Sequence, residues 1–197
     1  MDSLKEKSNY FCIDEINYDD WSRLWPEVNF SNLLQSWQYG DAKEASEGWS
    51  PKRLLVTNEL GKEIAIAQVL IKKLPFFGGV ARLNRGPLLI NSKLDDPERL
   101  ENFMRSLALV LKDCKHRKVR YLLVTPEIES DKSALNGIAS LGLEKRSRKV
   151  PYGSARLSLE QPIEKIFQRI FSPFLKPSSP FNVHRALPFI VCFILYL

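Results

Sequence analysis

The sequence predicts an α/β domain (α+β with a mixed sheet), in which hairpins and crossover helices are combined. Alternating apolar and polar side chains over residues 10–16 indicate a strand with one buried face. Apolar residues between Asp96 and Lys115 recur at three- and four-residue steps, the pattern of a helix packed on a sheet. Two strand-like runs flank a turn at Asn58–Gly61. Strands and helices mixed in this order favour a mixed sheet over a helical bundle.

The other elements are bounded by caps and helix breakers. A short helix follows the first strand, with Asp19 or Asp20 as its cap and Pro26 as its end. The later elements, in order, are a strand over 80–90 that breaks at Gly86–Pro87, a strand over 119–128, a helix over 133–143 closed by Gly142, a strand over 152–159 and a helix over 161–170.

A second helix carries the polar stretch in which we look for function. Ser31 or Asn32 stands where its cap belongs, so we expect it to begin near Leu34, run to about Ser46 and end at Gly48.

The domain is expected to span residues 8–170, after a tail of residues 1–7. Residues 171–197 differ in composition, with four of the chain's 12 prolines and no acidic side chain. Ala186–Leu197 is nearly all apolar but shorter than the ~20 residues that cross a bilayer. A buried terminal strand, a membrane-surface anchor and a segment never selected to fold are the alternatives. We favour the last and predict that residues 171–197 pack poorly.

Composition narrows the function classes. The three cysteines are widely spaced and form neither a metal-ligand pattern nor a disulfide framework, so no metal and a cytoplasmic location are expected. The first 50 residues hold 4 basic and 10 acidic side chains, whereas the other 147 hold 25 and 13. That asymmetry favours an anionic partner such as phosphate, nucleic acid or lipid head groups, although solvated lysines explain it equally well.

The second helix supplies the candidate binding residues. Gln35, Tyr39 and Lys43 follow each other at four-residue steps and therefore share one helical face. A ring, an amide and an ammonium on one face make a cradle for a sugar or peptide that carries phosphate. An amphipathic helix with a solvated lysine gives the same spacing.

The residues in this stretch resemble those of a known family. Gln35–Ser36, Tyr39, Lys43 and Gly48–Trp49, followed by the turn Arg85–Gly86–Pro87, are similar to the signatures of the Fem family. That family often has tryptophan where Tyr39 stands. Fem proteins are aminoacyl-tRNA-dependent peptidyltransferases that build the interpeptide bridges of peptidoglycan, and they contain two tandem GNAT-like acyltransferase domains. The resemblance covers about residues 31–170.

The resemblance implies roles for particular residues. Lys43 stands where the family has a lysine that contacts the phosphate of the cell-wall precursor, a UDP- or lipid-linked muropeptide. Arg85 pairs with phosphate or, more simply, ends its strand in a turn. Aminoacyl-tRNA is the implied co-substrate, with no cofactor bound, and tRNA and peripheral membrane contact are implied partners. No residue is assigned a catalytic role.

Two features leave alternatives open. From Ser172 onward the sequence no longer resembles that of the family. A truncated or frameshifted copy that lacks the second domain has this pattern, so whether the chain is an active enzyme stays open. The Gln/Arg-x-x-Gly-x-Gly/Ala turn that holds acetyl-CoA in ordinary GNAT enzymes is not found. This favours an aminoacyl ester over acyl-CoA. The alternatives are an acyl-CoA-dependent N-acyltransferase of polysaccharide or lipid modification, and a non-catalytic fragment that binds anionic ligands.

Overall fold

The computed structural model describes residues 11–76, 78–93, 95–128, 132–145, 162 and 164–165, and the backbone of 193–196. The strands are β1 (Phe11–Glu15), β2 (Ser50–Asn58), β3 (Glu63–Leu74), β4 (Gly78–Asn84), β5 (Leu88–Leu89), β6 (Val119–Thr125), β7 (Glu144–Lys145) and β8 (Phe193–Tyr196). The α-helices are α1 (Tyr18–Leu24), α2 (Trp37–Glu47), α3 (Arg99–His116) and α4 (Lys132–Ser140), and short 3-10 turns occupy Trp25–Glu27 and Leu33–Gln35.

The strands form one mixed sheet, which confirms the predicted fold class. Its order is β1-β2-β3-β4-β6-β8-β7, and β5 pairs with β3 beside this path. Among the described strands, β4 and β6 pair in parallel and the other pairs are antiparallel. The parallel pair requires a crossover, and α3 supplies it.

The sheet buries a different set of side chains on each face. Under α3 and α4 lies the larger core, which includes Leu54, Val56, Ala67, Val69, Leu107, Val110, Leu122, Val124 and Ile138. The other face carries α1 and a smaller cluster of Trp21, Leu24, Val28, Ile66 and Leu88, against which Trp37 of α2 packs. The predicted packing of the long helix on the sheet is thus confirmed, because its apolar stripe faces the larger core.

The first helix begins earlier than predicted. Asn17 is its cap, and the Asn17 side chain accepts a hydrogen bond of 3.0 Å from the amide of Asp20. Asp19 and Asp20 lie inside the first turn instead, where their charges complement the positive end of the helix dipole. Pro26 lies in the 3-10 turn that follows the helix, consistent with its predicted role as a stop.

The second helix begins later than predicted. Its cap is Ser36, whose hydroxyl accepts a hydrogen bond of 3.2 Å from the amide of Tyr39. The predicted start near Leu34, behind a cap at Ser31 or Asn32, is wrong because Ser36 has an extended backbone that separates the 3-10 turn from α2. The predicted end is confirmed: Gly48 closes α2 with a φ of 68°, in the left-handed region that favours glycine.

The end of the chain contributes a strand to the sheet. The backbone of β8 lies between β6 and β7, antiparallel to both. For these four residues the structure agrees with the alternative of a terminal strand. It differs there from the favoured expectation of a poorly packed tail. The strand predicted over 152–159 and most of the helix predicted over 161–170 lie outside the described residues. The domain boundary at residue 170 and poor packing elsewhere in 171–197 stay predictions.

Among the described residues, no helix is both long enough and apolar enough to cross a membrane.

The two described cysteines should differ strongly in reactivity. Burial raises the pKa of the Cys114 thiol to about 12, whereas Cys12 is exposed. Since the thiolate is the nucleophile, Cys114 stays protonated and inert in the folded protein at any pH well below 12. Iodoacetamide at pH 8 followed by peptide mapping is expected to label Cys12 in the native protein and Cys114 only in urea. Equal labelling rates at the two positions would contradict the buried placement.

Candidate functional site

Gln35 is a buried connector between two strands. The residue is fully buried, and its side-chain amide donates to the carbonyl oxygens of Gln68 at 3.1 Å and Asn84 at 2.6 Å. Its side-chain oxygen accepts from the amide of Gln68 at 2.7 Å. The predicted placement of Gln35 on a ligand-facing helical surface is therefore wrong. Its side chain instead fills the interval in which β3 and β4 no longer pair directly.

A second set of buried polar contacts holds α2 against the sheet. Arg53 on β2 is 8% exposed, and its guanidinium donates to the Gln68 side chain at 3.1 Å and to the Trp37 carbonyl at 3.0 Å. It also pairs with Asp41 and stacks 3.5 Å from the Trp37 ring centroid. Gly40 faces this network, and a side chain there would meet Arg53 Nη2 at 2.9 Å. The position of α2 is thus fixed by specific hydrogen bonds rather than by apolar packing alone.

Tyr39 and Lys43 lie together on α2, and both are partly exposed. The Lys43 ammonium is 5.6 Å from the Tyr39 ring centroid and forms an ion pair with Glu47, one turn further along the helix. The hydrogen bond from Lys43 lowers the pKa of Glu47 below its ordinary value, and the Trp49 indole adds to the effect. The same bond raises the pKa of Lys43. Both groups are therefore charged throughout the neutral range.

Two further cations, which lie on strands of the sheet, contact the Trp49 ring next to the Lys43–Glu47 ion pair. Arg82 on β4 and Lys72 on β3 lie over the Trp49 ring, at 4.9 and 5.8 Å from its centroid. Lys72 also donates to the backbone oxygen of Glu47 at 2.8 Å. We call Lys43, Lys72, Arg82 and Trp49, with Glu47, the basic cluster. The cluster contains three cations and one carboxylate, which pairs with Lys43, so it carries excess positive charge and favours an anion.

The sequence did not identify Lys72 and Arg82. They lie 29 and 39 residues beyond Lys43, and only the pairing of β3 with β4 brings them to the same face. In the register, Lys72 is opposite Val80, two residues before Arg82. The signal available for Lys72 is the alternation of side chains along β3, which places Lys72 on the same face of the sheet as the buried residues Gln68 and Leu70.

An exposed aromatic residue extends this face of the sheet. Tyr121 on β6 pairs with Val80 in the parallel register and is 47% exposed. Since Val80 and Arg82 are two residues apart on β4, Tyr121 shares the face of the basic cluster. A ring beside a positively charged surface can pack against a sugar or peptide while a nearby anion is bound.

Arg85 lies at the far end of β4, in the turn that precedes Gly86–Pro87. Its φ is 53°, and its amide donates to the carbonyl and hydroxyl oxygens of Thr125 at 2.7 and 3.2 Å. The Asn32 side chain donates to Glu127 Oε2 at 3.1 Å at the same end of the sheet. The predicted role of Arg85 in ending its strand fits this geometry. A small pocket lies next to the turn, lined in part by Pro87, Arg99 and Glu127.

The four predicted binding residues thus lie at three separate places in the structure. Tyr39 and Lys43 are brought together on α2. Gln35 lies beneath the surface as a strand connector. Arg85 lies at the strand end, where its backbone joins β4 to β6.

Comparison with known proteins gives a family and a fold. The model of the FemAB family matches residues 13–149. A solved structure of FemX is similar with a TM-score of 0.56 and 21% identity, over 72% of this chain but 34% of FemX. The chain therefore spans about a third of the length of that relative. Comparison with curated protein sequences gives no match.

Two acetyltransferases, each matched over nearly its whole length, share the fold over nearly the whole of this chain. A Bacillus subtilis acetyltransferase in complex with CoA has a TM-score of 0.51 and 8% identity, over 96% of this chain and 99% of the other. Arabidopsis thaliana Naa50 with a bisubstrate analogue has a TM-score of 0.53 and 11% identity, over 95% and 99%. These likenesses show a GNAT-like acyltransferase fold. Since the family model covers well over half of the residues, the chain belongs to the FemAB family.

Proposed function

We propose that this chain is the acceptor-binding part of a Fem-type aminoacyltransferase, which acts on a phosphate-bearing peptidoglycan precursor in the cytoplasm. The observation that carries the proposal is the basic cluster, on an exposed face of a GNAT-like domain in a FemAB protein. Lys43 is the residue that the family pattern pairs with phosphate, and the excess of cations around it suits a diphosphate better than a neutral ligand.

The other three predicted residues, and Tyr121 identified from the structure, take distinct roles in this proposal. Tyr39 and Tyr121 flank the phosphate site and pack against the sugar or peptide portion of a UDP- or lipid-linked muropeptide. Gln35 acts only by positioning, because it holds β3 to β4 beneath the surface. Arg85 is proposed as a second phosphate contact at the strand end, where Glu127 also lies.

The reaction proposed for the whole protein is aminolysis of an ester. The acceptor amine attacks the carbonyl carbon of an aminoacyl-tRNA, a C–N bond forms and the C–O bond to the ribose breaks. The amine loses a proton and the ribose oxygen gains one. Because the ester is already activated, positioning and stabilisation of the developing oxyanion suffice, without a covalent enzyme intermediate.

An acyl-CoA donor is the second candidate, favoured by the fold shared with a CoA-bound acetyltransferase. The pairing of two strands counts against an extended acyl arm at this end of the sheet. The parallel pairing of β4 and β6 extends to Asn84 and Thr125, and the amide of Arg85 continues it. Backbone groups at the ends of these strands are therefore engaged with each other, whereas an extended acyl arm added beside a strand needs free ones.

Removing the Lys43 ammonium should weaken binding of the precursor. Lys43→Ala is expected to reduce the affinity for a UDP-muropeptide by about 1–3 kcal/mol, the cost of a charge-assisted hydrogen bond. Isothermal titration calorimetry measures the effect directly. Lys112→Ala is the matched control, because Lys112 is an exposed lysine on α3, which covers the other face of the sheet. Equal affinities for Lys43→Ala and the unmodified protein would refute the assignment.

The identity of the acyl donor is tested separately from binding of the acceptor. Thermal-shift titrations with UDP-muropeptide, acetyl-CoA and uncharged tRNA distinguish a Fem-type chain from an acyl-CoA enzyme. Stabilisation by muropeptide and tRNA, but not by acetyl-CoA, is expected. Stabilisation by acetyl-CoA alone would support the second candidate. Binding of muropeptide without transfer from charged tRNA would fit a chain that binds the acceptor and lacks the rest of the catalytic cleft.

A further inference from the structure

We propose that the Glu47 carboxylate occupies the anion site of the basic cluster as an internal substitute for the ligand, and that Arg82 and Trp49 bind the ligand's phosphate with Lys43 once Glu47 is displaced. This rests on the proposed function, because it specifies how the same surface takes its anion. It adds two phosphate-binding residues and one internal competitor to the site.

The donors of the cluster already converge on an oxyanion. One oxygen of Glu47 accepts from Lys43, and the other accepts from the Trp49 indole N–H at 3.1 Å. Arg82 lies over the same indole ring, 4.9 Å from its centroid. Its charge acts on both members of the ion pair, disfavouring the charged form of Lys43 and favouring that of Glu47. The carboxylate thus lies where a phosphate oxygen would find the same donors.

The carboxylate is held weakly enough to leave. Its side chain is 45% exposed, and exposed ion pairs contribute little to stability. Glu47 is also the last residue of α2, where the negative end of the helix dipole disfavours an acidic group. Its backbone, in contrast, is held by the hydrogen bond from Lys72. The side chain can therefore rotate out while the end of the helix stays in place.

The donor set suits phosphate better than a second carboxylate. Trp49 is only 7% exposed, so its indole N–H keeps one direction, and Lys43 and Arg82 approach from α2 and β4. Three donors from separate elements can each take a different oxygen of a tetrahedral phosphate, whereas a carboxylate offers two oxygens. Displacement also keeps a partner for the indole N–H, which would otherwise be buried without one.

Inorganic pyrophosphate is the probe, with binding measured by calorimetry at an ionic strength of about 0.15 M, where charges more than about 8 Å apart are largely screened. Glu47→Gln keeps the shape and an acceptor oxygen but removes the competing charge, so affinity should rise about tenfold. Arg82→Ala should lower affinity about tenfold. Glu44→Gln makes the same charge change at an exposed position of the same helix and should leave affinity within about twofold. In the unmodified protein, saturating pyrophosphate should raise the pKa of Glu47 toward its ordinary value, as followed by carboxyl NMR.

The outcomes separate this inference from the proposed function. Unchanged or weaker pyrophosphate binding by Glu47→Gln overturns the displacement, as does a Glu47 pKa that pyrophosphate does not move. The displacement is also overturned if pyrophosphate binds neither the unmodified protein nor Glu47→Gln. If the pyrophosphate pattern is as expected but UDP-muropeptide does not bind, the inference stands and the proposed function fails. If muropeptide binding depends on Lys43 but neither Glu47→Gln nor Arg82→Ala alters pyrophosphate binding, only the inference fails.

Discussion

Gln35→Leu is expected to lower the free energy of unfolding by about 3–6 kcal/mol, because each buried polar group left without a partner costs about 1–3 kcal/mol. The substitution removes both ends of the amide while keeping a side chain of similar size. It leaves the Gln68 amide and the carbonyl groups of Gln68 and Asn84 without the hydrogen bonds that Gln35 supplies. Little water can enter to replace it, since Gln35 is fully buried.

Urea denaturation monitored by circular dichroism measures this loss. Gln38→Leu is the control, since it makes the same chemical change at an exposed position of α2 and should alter stability by no more than about 0.5 kcal/mol. Hydrogen exchange adds a local measurement, because the Gln68 amide should lose its protection in Gln35→Leu. Equal midpoints for the two variants would show that the strands do not depend on this amide.

Gly40→Ala is the second large effect, and two opposing contributions decide it. Alanine favours a helix interior over glycine by about 1 kcal/mol. Against this, the new methyl group would lie 2.8 Å from Gln68 Cδ and 2.9 Å from Arg53 Nη2, in a network that has no room to shift. Overpacking costs about 1–3 kcal/mol, and a lost hydrogen bond to the guanidinium about 1.5–3 kcal/mol. A net destabilisation of about 2–4 kcal/mol is expected.

Gly137→Ala on α4 is a closely matched control. A methyl group there would lie 2.9 Å from Met104 Cε and 3.2 Å from its sulfur, a close contact, although less tight than the contact with the Gln68 side-chain oxygen at position 40. The end of a methionine side chain can move aside at little cost, so this variant should stay within about 1 kcal/mol of the unmodified protein. Thermal unfolding of both variants tests the contrast. A Gly40→Ala protein as stable as Gly137→Ala would contradict the rigidity of the Arg53–Gln68 pair.

The fold class followed from local patterns in the sequence. Periodicity located the strands near Phe11–Glu15 and Val119–Thr125, and it located the helix that became α3. The end of α2 could be predicted because a left-handed residue is needed there and Gly48 is available. Helix starts were less certain, since several neighbouring residues could cap each helix. The structure was needed to identify Asn17 and Ser36 as the caps of α1 and α2.

The candidate site was predictable only in part. Tyr39 and Lys43 are four residues apart on one helix, so their proximity is a local property. Gln35 was assigned to the same face because four-residue spacing assumes a continuous helix, and the break at Ser36 removes that assumption. Lys72 and Arg82 reach the site through strand register. Alternation along β3 assigns Lys72 to a face of the sheet, but nothing in a single sequence shows which residue of β4 lies beside it.

The structure also constrains how this protein can diverge in evolution. The backbone of Gln68 is bound by Gln35, and its side chain is bound by Arg53 and donates to the Ser36 carbonyl at 2.9 Å. Gly40 leaves the space that this arrangement occupies. A lineage that changed any one of these residues would pass through a destabilised intermediate unless a second changed with it. Substitutions at these positions should therefore be inherited together, whereas exposed Gln38 is free to vary independently of them.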